Sequence, residues 1–255
     1  MKLGSWRRVT QGTGILLGLL GVTGIGMTHL IFPGLHCYAC PWAVTVCPVG
    51  LMQNMVVYGA FPFFGLGVIV AYGVFAARGF CGWFCPFGTL NDLLSFRKRP
   101  IRRAASYGKY AVLLGTLIGA WALADTVFCK LCPAASIEAS IPYLVLGIAR
   151  VNQPFLVHMA TLATTLLGMV LVARFWCRYL CPMGGVLSLF NRVSFLHLRL
   201  DRAKCTECRA CAAACPMGIE PHRDHDDHNC IKCGECIGAC SPGALTLRCS
   251  LRRKP

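Results

Sequence analysis

Four long apolar runs, at residues 9–32, 55–77, 110–128 and 155–173, alternate with short polar connections along the first three quarters of the chain. Each is long enough for a helix crossing a hydrocarbon core of about 30 Å, which takes about 20 residues. The first exceeds a signal-peptide core and lacks a clean small-residue cleavage site, so it reads as a span. A fifth apolar stretch, 141–149, is too short to cross. Beyond residue 195 the pattern changes to alternation. His197-Leu-Arg-Leu-Asp201 and Ala244-Leu-Thr-Leu-Arg248 each suit one short strand.

Charge orients the spans. The N-terminal segment holds Lys2, Arg7 and Arg8. The connection after the second run holds Arg78, Arg97, Lys98, Arg99, Arg102, Arg103 and Lys109, and the stretch after the fourth holds Arg174, Arg178, Arg192, Arg199, Arg202 and Lys204. The two remaining connections hold only Lys130 and Arg150. Basic residues mark the cytoplasmic side, so this asymmetry predicts an inner-membrane protein of four spans with both termini cytoplasmic. The net charge of +15 then serves orientation and predicts no nucleic-acid partner.

Eighteen cysteines change the picture more than any other feature. Disulfide-rich secreted proteins are short and lack long apolar runs, so metal is the better reading. The tail reads Cys205-x-x-Cys208-x-x-Cys211-x-x-x-Cys215-Pro, then Cys230-x-x-Cys233-x-x-Cys236-x-x-x-Cys240. In this two-cluster ferredoxin spacing the fourth cysteine of each run serves the other run's cluster. Cys205, Cys208, Cys211 and Cys240 are therefore expected to hold one [4Fe-4S] cluster, and Cys230, Cys233, Cys236 and Cys215 the second.

The other cysteines follow an internal repeat. Arg78-Gly-Phe-Cys81-Gly-Trp-Phe-Cys85-Pro-Phe-Gly88 matches Arg174-Phe-Trp-Cys177-Arg-Tyr-Leu-Cys181-Pro-Met-Gly184 at an offset of 96. Cys37-Tyr-Ala-Cys40-Pro matches Cys129-Lys-Leu-Cys132-Pro at an offset of 92. Two cysteines cannot hold a cubane cluster, but two pairs brought together by a pseudo-two-fold axis can. Cys81, Cys85, Cys177 and Cys181 then form an inner-face site, and Cys37, Cys40, Cys129 and Cys132 an outer-face site. Cys47 also precedes a proline and is an alternative outer ligand. Disulfides are the competing reading of the outer set, and Cys249 reads as a free thiol.

The expected fold is an all-α membrane bundle of four transmembrane helices with a two-fold internal repeat (1–194), followed by a small α+β two-cluster ferredoxin domain (195–255). Four clusters are expected in all. His29 and His158 fall near the outer ends of spans and are candidates for a quinone site, since quinol oxidation needs a proton acceptor. Asp125 and Glu138 are weaker candidates. The loop Glu220–His228 reads as solvated rather than metal-binding. No CxxCH haem motif and no nucleotide-binding glycine loop is present.

Taken together, the paired CxxxCP motifs at 81–85 and 177–181 and the tail runs resemble the membrane-bound polyferredoxins of the NapH, MauN and NosR-like group. The resemblance implies electron transfer between the quinone pool and a periplasmic redox enzyme or cytochrome. Three readings follow: an electron-transfer subunit linking the ferredoxin tail to a partner at the outer face, a quinol dehydrogenase feeding a periplasmic enzyme, or a redox regulatory or metal-maturation protein.

Overall fold

The computed structural model describes residues 3–19, 30–31, 37, 45–59, 63–95, 103–148 and 150–250. Helix α1 (Leu3–Leu19) begins in the polar N-terminal segment. A two-residue parallel bridge joins β1 (Leu30–Ile31) to β2 (Thr45–Val46). Helices α2 (Pro48–Tyr58) and α3 (Phe63–Phe75) follow. Then come α4 (Gly79–Trp83), α5 (Pro86–Leu94), the single turn α6 (Arg103–Ser106) and α7 (Gly108–Leu123). A 3-10 turn at Cys129–Leu131 leads into α8 (Pro133–Ala135), a π turn at Ser136–Ser140 and α9 (Ile141–Val145). Helix α10 (Gln153–Leu171) is followed by α11 (Phe175–Tyr179) and α12 (Pro182–Leu189). The tail contains β3 (Leu196–Leu200), α13 (Ala210–Ala214), α14 (Glu235–Gly238) and β4 (Leu245–Cys249).

The four-span bundle expected from hydropathy is not what forms. Among the described residues one helix, Gln153–Leu171, is long and apolar enough to cross a membrane. Backbone breaks explain the difference. The run at 55–77 is divided after Tyr58, where Gly59 takes the left-handed conformation at φ 60° and closes α2. The run at 110–128 stops at Leu123 because Ala124 turns left-handed at φ 48°. For the first run, α1 ends at Leu19 and residues 20–29 lie outside the described residues. Among the described residues only α10 runs unbroken. Its start is set by Asn152, whose side chain accepts from the Phe155 amide, with Pro154 in the first turn.

In the tail, β3 and β4 pair antiparallel with His197 opposite Arg248, one residue off the expected strand limits. This small unit is fastened to the rest. Phe195 N–H donates to the Val74 carbonyl at 2.8 Å, and Lys232 Nζ reaches the Ala76 carbonyl at 3.4 Å and the Ser194 hydroxyl. Cysteines from both parts enter one buried core, in which Cys81, Cys85 and Cys181 share neighbours with Cys215, Cys230 and Cys233.

Candidate iron–sulfur centres

A proline after a cysteine biases that cysteine towards extended backbone and suits the first position of a helix. The structure uses this device repeatedly. Cys47, Cys85, Cys132 and Cys181 have φ between −68° and −77° and ψ between 111° and 126°, each directly before a helix that opens with proline. Cys215 has the same backbone, at φ −71° and ψ 117°, before Pro216. Cys47, Cys85, Cys132 and Cys181 are thereby set at the rim of a helix N-terminus, whereas Cys215 closes α13.

The two copies of the repeat motif lie against each other. Cys81 on α4 and Cys177 on α11 sit with Cys85 and Cys181, and all four are buried. Burial pushes the Cys181 thiol well above its usual value, and the neighbouring Cys177, Cys81 and Cys85 are among the other contributors. Burial also raises Cys177, against the pull of Arg174. Two fully buried arginines brace the pair crosswise. Arg78 Nη2 donates to the Cys177 carbonyl at 2.6 Å, and Arg174 Nη1 donates to the Cys81 carbonyl at 2.9 Å. The glycines that end the motifs leave room for these forks. A Cβ on Gly88 would lie 2.6 Å from the Cys81 carbonyl oxygen and 3.2 Å from Arg174 Nη1, and one on Gly184 would lie 3.2 Å from Arg78 Nη2.

Asp92 on α5 anchors this frame. Its carboxylate takes Arg174 Nε at 2.7 Å and Nη2 at 2.5 Å, pairs with Arg7, and accepts from Gln11 at 2.9 Å. Burial alone would raise its pKa, but Arg174 and then Arg7 outweigh it and hold Asp92 below the usual carboxylate range. Arg7 also pairs with Glu235 on α14 at 2.5 Å, so one network joins α1, the repeat motifs and the tail.

The tail cysteines line two hollows. One, of about 320 Å³ including its open mouth, is bordered by Cys205, Cys208, Cys211 and Cys240. The other, of about 340 Å³, is bordered by Cys215, Cys230, Cys233 and Cys236. The loops repeat in conformation as well as in sequence. Glu207 and Arg209 flank Cys208 in the left-handed region, as Lys232 and Gly234 flank Cys233. Alternating conformations of this kind turn successive amides inward to make an anion-binding nest. Exposure differs: Cys208 is exposed, whereas Cys215, Cys230, Cys233 and Cys236 are all buried. Burial pushes Cys230 up to about 12.

The hollow of the second tail set abuts the Cys81 helix. A Cβ on Gly82 would lie 2.5 Å from the Ile231 carbonyl oxygen and 3.5 Å from the Cys233 Cβ. Trp83 Nε1 donates to the Lys232 carbonyl at 2.9 Å, and Arg178 Nη2 to the Pro216 carbonyl at 2.6 Å.

Four further thiols, Cys37, Cys47, Cys129 and Cys132, lie near one another. Gln53, fully buried on α2, donates to Cys129 Sγ at 3.3 Å and accepts the Phe128 amide at 2.9 Å. Glu138 accepts the Cys37 amide at 2.6 Å. Burial pushes Cys129 up to about 11, and the nearby Cys47 adds to the rise. Burial raises Cys132 well above its usual value, with Cys47 and Cys37 again among its neighbours. Cys40 and His29 lie outside the described residues. His158 accepts or donates at Nδ1 with the Ser140 hydroxyl at 2.5 Å, and Asp125 pairs with Lys130. Among the described residues no three His, Cys, Asp or Glu side chains are gathered to hold a single metal ion, the 220–228 loop included.

The site chemistry fits iron–sulfur clusters. Thiols this deeply buried resist ionisation alone, and the cationic iron of a cluster is what takes them as thiolates. Trp176 Nε1 and Arg78 Nε are buried donors without an acceptor among the described residues, which suits a group rich in sulfur acceptors.

Comparison with known proteins agrees. Residues 58–103 and again 155–202 match a 4Fe-4S binding domain, and residues 198–219 match a further 4Fe-4S binding domain. The double match falls on the two repeat motifs. An uncharacterised protein of Methanocaldococcus jannaschii is 34% identical over 71% of this chain and 68% of its own length. The ferredoxin-type protein NapH of Haemophilus influenzae is 27% identical over 68% of this chain and 63% of its own. The methylamine utilization ferredoxin-type protein MauN of Methylorubrum extorquens is 24% identical over 61% of this chain and 52% of its own. This chain belongs to the NapH/MauN/NosR-like group of 4Fe-4S ferredoxin-type proteins. No solved structure matches it. Membership of the NapH/MauN/NosR-like group supports an electron-transfer role. The crossed arginines and their glycines are functional features that motif reading missed. They stood in both copies, but only the association of the copies shows what each reaches.

Proposed function

We propose that this protein is a membrane-attached electron-transfer subunit. Its three contiguous sites are the Cys205 set, the Cys215 set and the Cys81/Cys177 set. The observation that carries this reading is the contact at Gly82, which sets the second tail hollow directly against the Cys81 helix. One-electron transfer falls off steeply with distance, so sites in contact through a glycine and two backbone segments are suited to pass electrons. When bound, each cluster supplies a one-electron couple and no proton chemistry.

The protein's own residues position and shield. Cys205, Cys208, Cys211 and Cys240 would hold the cluster nearest solvent. Cys215, Cys230, Cys233 and Cys236 would hold the next, and Cys81, Cys85, Cys177 and Cys181 the third. Arg78 and Arg174 place positive charge beside that third site, and Trp176, Phe87 and Met183 exclude water from it. Attachment to a membrane is supported by α10 and by the large apolar side chains left exposed on it and on α7, among them Leu156, Leu167, Leu114, Ile118 and Trp121. The partner is a redox protein or oxidoreductase subunit that exchanges single electrons with one end of this series.

The test is magnetic coupling. In anaerobically purified, fully reduced protein, electron paramagnetic resonance should show spin–spin broadening between the Cys215 and Cys81/Cys177 centres. Cys177→Ser should abolish the broadening together with one cluster. A fully loaded protein without interacting centres would overturn the proposal.

A further inference from the structure

We propose that Cys37, Cys47, Cys129 and Cys132 form a fourth four-thiolate site for a [4Fe-4S] cluster, with Cys47 rather than Cys40 as the fourth ligand. This rests on the reading above that the chain carries electrons through such clusters. The matched 4Fe-4S domain segments, 58–103 and 155–202, contain none of these four cysteines.

Local backbone is the first argument. At the Cys81/Cys177 site, the second ligand of each copy is a cysteine held extended before Pro and a helix, namely Cys85 and Cys181. Among the further thiols the two described cysteines in that conformation are Cys47, before Pro48 and α2, and Cys132, before Pro133 and α8. Cys47 is thus the structural counterpart of Cys132, a relationship that the CxxCP spacing assigns to Cys40.

Convergence is the second. Gln53 lies on the helix that Cys47 opens, and its amide clamps the Cys129 turn from both sides, donating to Cys129 Sγ and accepting from Phe128 N–H. Glu138, in the π turn that follows Cys132, holds the Cys37 backbone. Two independent contacts therefore draw Cys47 to Cys129 and Cys37 to Cys132. Cys47 and Cys132 are buried in the core that also holds Cys81, Cys85 and Cys181, and Cys37 packs against it. An amide donating to a ligand sulfur is one of the levers that tune a cluster.

The third argument is continuity with the site already described. Phe128 adjoins Cys129, and its ring lies 6.4 Å from that of Trp176, which adjoins Cys177. Trp176 in turn meets Phe87 edge-on at 6.1 Å, two residues past Cys85. All three rings are buried. The two four-cysteine sets are thus joined by a short aromatic contact, as a redox pair requires and a structural zinc site does not.

Iron analysis of the full-length, anaerobically purified protein tests this. Four clusters need about sixteen iron atoms per chain and three need about twelve. Wild type and Cys40→Ser should carry about sixteen. Cys47→Ser and Cys129→Ser should carry about twelve with the resonance signals of the other three centres unchanged. A variant-free check is alkylation of the native protein followed by peptide mass mapping. Cys37, Cys47, Cys129 and Cys132 should be protected until iron is chelated, whereas Cys40 is modified. Full iron in Cys47→Ser, loss of a cluster in Cys40→Ser, zinc or a disulfide in place of iron, or a wild type of about twelve would each overturn this inference. Loss of iron on Cys177→Ser must accompany any of these. If that variant keeps its iron, it is the three-site reading that fails.

Discussion

Arg78 and Arg174 occupy the same place in the two copies of the repeat, and each donates to the cysteine carbonyl of the other copy, Arg78 to Cys177 and Arg174 to Cys81. The exchange locks the halves together around four thiols. Their surroundings then part. Arg174 is neutralised by Asp92, whereas Arg78 meets the His228 carbonyl and Asn229 and has no carboxylate partner among the described residues.

That difference separates two variants. Arg174→Met leaves Asp92 without its bidentate partner, so it should cost about 3–5 kcal/mol of stability. Thermal unfolding of the cluster-loaded protein measures this. Arg78→Met should act chiefly on the cluster: with less positive charge nearby, the potential of the Cys81/Cys177 centre should fall, and Arg78→Lys should restore part of it. Redox titration followed by paramagnetic resonance reads the shift.

The glycines should differ as well. A methyl group on Gly88 would meet a backbone carbonyl at 2.6 Å, whereas one on Gly184 would meet the end of an arginine side chain at 3.2 Å. Gly88→Ala should therefore lose the Cys81/Cys177 cluster, and Gly184→Ala should retain it with an altered signal. Iron content and the resonance spectrum distinguish the two.

Asp92 gives a pH dependence. Its folded pKa is lowered, so the stabilisation it provides is present above the ordinary carboxylate range and lost as pH falls through the folded value. Asp92→Asn should cost about 2–3 kcal/mol at pH 7, allowing for the part of the side chain in contact with solvent. The gap from wild type should close as the medium is acidified below about pH 4. Paired unfolding curves at several pH values test this.

Oxygen should find the tail clusters in order. Cys208 is exposed and Cys205 and Cys240 half-buried, while all four cysteines of the Cys215 set are nine-tenths buried or more. Timed exposure to air should bleach the Cys205 centre first. Resonance spectra taken after re-reduction would show which signal has gone, and earlier loss of the Cys215 signal would contradict the order.

Much of the site was legible in the chain. Ligand spacing in the tail is a local property, because each loop wraps three thiols of its own run, and the hollow beside each loop is completed by the fourth cysteine of the other run. The CxxxCP pairs announced their partnership by repetition. The spans were less legible, since hydropathy counts apolar side chains and is blind to left-handed turns such as those at Gly59 and Ala124. Cys47 was hard to place for a related reason. Its spacing breaks the repeat that Cys40 keeps, while its backbone obeys the rule that Cys85, Cys132 and Cys181 follow.

By itself, then, the sequence determined which cysteines stand before prolines, which loops carry the runs of four cysteines, and which segments are apolar, because these depend on a residue and its near neighbours. Tertiary structure alone decided that Arg78 serves Cys177, that Gly82 admits the tail against the Cys81 helix, and that Gln53 holds Cys129. Those contacts join residues from 76 to 149 positions apart. No local pattern encodes such contacts. They exist only once buried charge, close backbone approach and the shared core have brought the two copies and the tail together.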